Sequence, residues 1–252
     1  MIPVKKGAEP AKLKTLREEA ALKKLSPESA YDTLKNPEKR EVLEALKRDQ
    51  GQLCVYCMCR IPRSDKSPGI AGETIEHFIP LDPDDGRDIG QGLDYNNLFA
   101  VCHGNVRARK KGERRVNSMK TMTCDKHRQN TEFRKINPCN AESLQSISYS
   151  MDGRITASDT DVLYDLTKTL NLNCEASPLI GERKAALDSL VEEIGKIGNE
   201  PTEKLHSFCD MMLKGFLNET NPKTPYAGVL IWYLQDMLNK LGKMLISDDG
   251  IC

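Results

Sequence analysis

Five of the nine cysteines and three of the four histidines fall between Cys54 and His127, less than a third of the 252 residues. Cys54 and Cys57 stand two residues apart, the spacing that lets both sulfurs reach one tetrahedral ion at roughly 2.3 Å. Cys102 and Cys124 can supply the other two thiolates. If they do, three distant stretches must meet at one point: the CVYC turn, the end of the apolar run LFAV and the start of DKHRQ. Four thiolates leave no open coordination position, so such a site is structural, and Zn2+ is its natural occupant. Cys59, His103 and His127 are alternative ligands. The plainer reading of Cys102 is a buried thiol that merely follows LFAV. Cys139, Cys174, Cys209 and Cys252 are scattered and read as ordinary residues.

The odd cysteine count, with one pair at metal spacing, favours a metal over disulfides in a reducing compartment. The opening MIPVKKGAEPAKLK has no apolar stretch of the secretory kind, and the most apolar segment, GVLIWYLQDMLNKLGKMLI, is interrupted by Gln235, Asp236, Asn239 and Lys240. The expectation is a cytoplasmic protein with no membrane span. The net charge of +0 means that any affinity for nucleic acid must come from a local patch.

Aromatic residues at 5% and charged residues at 29% suit a mostly α chain of α+β class rather than a sandwich or barrel. Residues 1–50 read as an extended start followed by helices: LKTLREEAALKKL, then SPESAYDTLK with Ser26 as cap, then NPEKREVLEALKRDQG with Asn36 as cap and Gly51 as its end. Residues 51–140 hold the cysteines and histidines, and DKHRQNTEFRKI within them is compatible with one helix. Residues 141–252 begin with SISYSMDGRITAS, a hairpin around Asp152–Gly153. Helical apolar faces follow at Val162/Leu163/Leu166/Leu170, at Leu187/Leu190/Val191/Ile194/Ile197 and at Leu230/Leu234/Leu238/Leu241/Leu245.

Inside the central region lies ETIEHFIP, a Glu-His pair at the end of a strand-like run. Hydrolysis of a phosphodiester needs a base to activate water and a cation to offset charge on the phosphate. His77 is the candidate base, since a neutral imidazole titrates near working pH. Glu76 and Asp125 are candidate oxygen ligands for Mg2+ or Mn2+, with His127 in reserve. Neighbouring strand residues point to opposite faces, so Glu76 and His77 share a centre only if the strand ends there, as Ile79–Pro80 suggests. A histidine satisfied by a backbone carbonyl is the competing, purely structural reading. Between the last two cysteines, Arg107, Arg109, Lys110, Lys111, Arg114, Arg115 and Lys120 face a single acid, Glu113. Such a run suits contacts to a nucleic-acid backbone and carries no sequence code.

CVYC, ETIEHFIP, LDYNNLFAVC and TCDKH, in this order, resemble the HNH (ββα-metal) endonucleases. The resemblance implies a zinc-stapled ββα-metal core with N-terminal helices and a helical C-terminal region. It also implies that His77 is the general base, Glu76 the preceding acid, Asn97 (rather than its neighbour Asn96) the orienting asparagine, and Asp125 the final metal-side residue. The chain departs from the family in its widely opened second cysteine pair and in carrying Asp125 where His or Asn is typical. Over more of its length, through MIPVKKGAEPAKL, YDTLK, SYSMDGRI and LNLNCEASPLIGERKAAL, it is similar to the PtuB family of Septu and retron anti-phage systems. That likeness implies a hetero-oligomer with a PtuA-type ATPase subunit, and in retrons with a reverse transcriptase and its DNA/RNA product. It also implies DNA or tRNA as the substrate. A zinc-knuckle binding or assembly subunit without cleavage is the alternative.

Overall fold

The computed structural model describes residues 1–61, 72–81, 92–105 and 118–248. Among these residues the fold is α+β, with two small antiparallel sheets set among helices. The first helices are α1 (Ala11–Leu22), α2 (Pro27–Tyr31) and α3 (Glu38–Asp49). Ser26 caps α2 as expected: its hydroxyl accepts from the Ser29 amide at 3.2 Å. Asn36 does not cap α3, which starts from Pro37 without a side-chain cap. The backbone has already closed that turn, with the Lys39 amide on Lys35 O and the Arg40 amide on Pro37 O. Helix α3 stops at Asp49, and Gly51, just past its cap Gln50, takes the left-handed φ of +64° that its sequence position suggests.

The chain then enters the CVYC turn and β1 (Thr74–His77), which pairs antiparallel with β2 (Leu98–Val101), Glu76 opposite Phe99 and His77 opposite Leu98. Every residue of β2 is buried. Helix α3 packs against β2, and Gln50 just beyond the helix completes the sheet's outer side. Its amide nitrogen donates to Ala100 O at 2.7 Å and its carbonyl accepts from the Ala100 amide at 2.8 Å. The N-terminal helices are therefore built into the same core as the sheet, not strung beside it.

After β2 comes α4 (Cys124–Arg128), which stops well before the end of DKHRQNTEFRKI. Gln129 turns left-handed at φ 53°, and the amides of Arg134, Lys135 and Ile136 all donate to the buried carboxylate of Asp165 at 2.9–3.0 Å. Those amides belong to an acid-capped loop, so no helical carbonyls are needed to satisfy them.

The hairpin forms as β3 (Ile147–Tyr149) and β4 (Ile155–Ala157). Gly153 sits at φ +87°, where an added Cβ would lie 2.3 Å from Ile180 O, so the turn needs glycine on both counts. Then follow α5 (Thr160–Tyr164), continued by a wider π turn over Asp165–Thr169, α6 (Leu179–Gly195), α7 (Thr202–Asn218) and α8 (Ala227–Asp248). Helix α7 packs along α8, and α8 also meets α6 and β3. One continuous buried cluster runs from Leu13 and Leu46 through Tyr56 and Phe99 to Leu166, Leu187 and Leu234. Among the described residues no helix is long and apolar enough to cross a membrane.

Candidate functional site

The four cysteines singled out by spacing converge. The sulfurs of Cys54, Cys57, Cys102 and Cys124 all lie within 4.8 Å of one another, and all four residues are buried. The Cys57–Cys102 and Cys102–Cys124 separations are 3.7 and 3.8 Å. A regular tetrahedron with metal–sulfur bonds of about 2.3 Å has sulfur–sulfur edges of about 3.8 Å, so this donor set fits a structural ion such as zinc. The knuckle is closed by the Met58 amide on Cys54 O and the Cys54 amide on Cys59 O, with Met58 left-handed at φ 61°. On the opposite side the Gly104 amide points at Cys102 Sγ, 3.4 Å away. Gly104 must be glycine, because at φ +57° a Cβ would lie 2.4 Å from Thr123 O.

Hydrogen bonding to Cys102 holds the Cys57 and Cys124 thiols well above the usual range, while Cys102 itself, through Cys124, is drawn down to about 5. The metal-free cluster thus keeps some of its protons, and metal entry must release them. Cys59 packs beside the four as a further buried thiol. The four ligands come from three places: Cys54 and Cys57 from the turn after α3, Cys102 from the end of β2 and Cys124 from the start of α4. The cluster therefore fixes α4 against the β1–β2 sheet.

Fixing α4 creates the second feature, a cleft of about 210 Å³ lined by Glu76, His77, Pro80, Leu81, Asp125, Lys126, Gln129 and Asn130. Glu76 and His77 both reach it because β1 ends at His77, so the alternation of the strand stops where it would have separated them. The ending is enforced by Asn97, whose side chain accepts from the Ile79 amide at 2.7 Å and donates to Ile79 O at 3.0 Å. The His77 ring is held by Nε2 on Gly92 O at 2.9 Å and by an edge-on contact with Tyr31 of α2, ring centres 4.4 Å apart. Burial lowers its pKa below the ordinary histidine value, which keeps the imidazole neutral at neutral pH.

Glu76 and Asp125 come within hydrogen-bonding reach of each other. Burial, then the neighbouring Asp125, pushes Glu76 well above the usual carboxylate range. Burial pushes Asp125 the same way, but the bond to Glu76 and the charge of Lys126 outweigh it and leave Asp125 below its ordinary value. Two neighbouring acids held in a cleft need a proton or nearby positive charge to coexist. Their carboxylate oxygens are hard donors.

Sequence reasoning missed Arg128, the last residue of α4. Its guanidinium is fully buried, ion-paired to Glu76, and donates to Thr131 O at 2.8 Å, His77 O at 3.0 Å and Phe78 O at 2.6 Å. It also stacks on Phe133, 4.4 Å from the ring centre. Tyr56, inside the CVYC turn, donates to the same Glu76 oxygen at 3.2 Å. Arg128 therefore staples the helix to the turn that presents His77. Arg128→Met is expected to cost about 3–5 kcal/mol, because three carbonyls and a buried acid lose their donor together. Urea denaturation checks this, and a loss below about 1 kcal/mol would contradict the stapling role.

His127 does not serve this site. Its Nδ1 lies 3.0 Å from Thr169 O, and it is not part of the cleft wall. The reason is helical geometry: at 3.6 residues per turn, positions 125 and 127 point about 200° apart. Of the basic run, Lys120 is exposed, whereas Arg107, Arg109, Lys110, Lys111, Arg114 and Arg115 lie outside the described residues. No protein-family model matches the chain, and no curated protein matches it either.

Proposed function

We propose that this chain is a metal-dependent endonuclease of the HNH kind, hydrolysing phosphodiester bonds of DNA or tRNA. One observation carries the reading: a neutral histidine and two mutually close carboxylates, from the end of β1 and the first turn of α4, line a single cleft. A backbone carbonyl can only accept, so the Gly92 contact puts the ring proton on Nε2 and leaves Nδ1 as the basic nitrogen. Nδ1 takes a proton from water as its oxygen attacks phosphorus and the ester oxygen departs. Glu76 and Asp125 would hold the divalent cation, which offsets charge on the phosphate and leaving oxygen. Asn97 and Arg128 keep the His77 turn rigid, and the cysteine cluster, as a Zn2+ site, keeps α4 in place.

The likeness to PtuB supports a further step, that the chain works as a nuclease subunit beside a PtuA-type ATPase in anti-phage defence. On that view the helical C-terminal part serves assembly, and the basic run at 107–115 contacts the nucleic-acid backbone. The Gly92 contact also suits a histidine whose task is only structural, in a nucleic-acid-binding or assembly subunit. The two readings differ in what plasmid DNA and tRNA show after incubation with Mg2+, using the chain alone and the complex co-purified from its host. The nuclease reading expects cleavage that chelation abolishes. It also expects a rate that falls as the pH drops through a value below 6.5, because the base is lost when the ring is protonated. No cleavage of either nucleic acid by the activated complex leaves the binding subunit.

A further inference from the structure

Resting on the nuclease reading, we propose that Lys126 is an exchangeable counter-ion that yields Asp125 to the divalent cation and then takes a non-bridging oxygen of the bound phosphate. Glu76, Asp125 and Lys126 line the cleft and Arg128 lies buried behind Glu76, so the free protein supplies each carboxylate with a cation of its own. The two cations are held very differently. Arg128 is wholly buried and fixed by several hydrogen bonds, so it cannot leave Glu76. The Lys126 side chain is about a third exposed, and its ammonium lies 2.8 Å from Asp125 Oδ2.

A divalent ion arriving at Asp125 meets the lysine's positive charge at contact distance and must displace it. The lysine's flexible stem, lying along Gly104, lets the head swing without moving α4. The displaced ammonium remains on the cleft wall beside Gln129 and Asn130, with three donors to offer a phosphate oxygen. Metal loading and phosphate capture are thereby coupled: the same charge that opposes the ion in the free protein favours the anion in the loaded one.

The test compares the full-length parent with Lys126→Gln and Asp125→Asn, measuring Mn2+ binding by loss of the free-ion electron paramagnetic resonance signal, without nucleic acid. The expected result is about tenfold tighter Mn2+ binding by Lys126→Gln and near-complete loss by Asp125→Asn. With Mn2+ saturating, Lys126→Gln should bind a single-stranded oligonucleotide about tenfold more weakly, with a salt dependence shallower by about one phosphate contact. Unchanged or weaker Mn2+ binding by Lys126→Gln overturns the counter-ion role while leaving the nuclease reading standing. Parent protein that binds no Mn2+, or an Asp125→Asn variant that binds it equally well, removes the nuclease reading and this proposal with it.

Discussion

His77→Ala is expected to lower phosphodiester cleavage by about 10²–10⁴-fold while leaving the protein folded, because that is the range general-base catalysis contributes. Among the described residues the ring makes one hydrogen bond and one aromatic contact, to Gly92 O and Tyr31. The substitution should therefore cost only about 1 kcal/mol of stability. The turn around it stays pinned by Asn97 on Ile79 and by Arg128 on the His77 and Phe78 carbonyls, none of which uses the imidazole. Zinc content and melting temperature should stay close to the parent's. Cleavage that survives at parental rates would show that His77 is a structural histidine and nothing more.

Cys54→Ser acts at the other end of the same scaffold and should be felt throughout it. Four-thiolate zinc sites in small domains contribute about 10–16 kcal/mol of apparent binding free energy, which is folding free energy when the site exists only in the folded chain. That is as large as the roughly 5–15 kcal/mol by which a typical domain is stable. Cys54 is fully buried, and its carbonyl and amide close the knuckle. Losing the ion frees the start of α4, and with it Asp125, Arg128 and the wall of the cleft. The expected outcome is loss of stoichiometric zinc, a collapse in melting temperature or insolubility, and no cleavage. Metal analysis and circular dichroism read this directly. A soluble variant that retains one zinc and melts within a few degrees of the parent would show that the cluster does not hold the fold.

The cysteine cluster was legible in the sequence because metal ligation is a demand on residue type and spacing, and Cys102 and Cys124 each border an element. The hairpin around Asp152–Gly153 and the apolar stripes of α6 and α8 were legible for a similar reason, since period and turn chemistry are local properties. Arg128 was not, because in sequence it is one more polar residue in a helical stretch. Its role exists only through Glu76, His77 and Phe78, some fifty positions away. The early end of α4 was hidden by the same non-local chemistry, here the Asp165 carboxylate collecting three loop amides. Helix α7 escaped notice although Leu205, Phe208, Met212, Leu213 and Phe216 on it pack against the core, where only Cys209 of the helix is fully buried. Asn97 was visible only through the family resemblance; nothing in its surroundings shows that its amide will hold both backbone groups of Ile79. Tyr31 shows the reverse problem: it lies in a helix read simply as N-terminal, yet it forms one side of the histidine pocket.

The central claim is that Glu76 and Asp125 form a cation site facing His77. Anomalous scattering at the manganese edge, from crystals of the full chain grown with Mn2+, tests it most directly. The account expects one strong peak in the cleft, bonded to carboxylate oxygens of both residues, with the Lys126 ammonium moved off Asp125. Manganese found only at other residues, with the Lys126–Asp125 pair still closed, would contradict it.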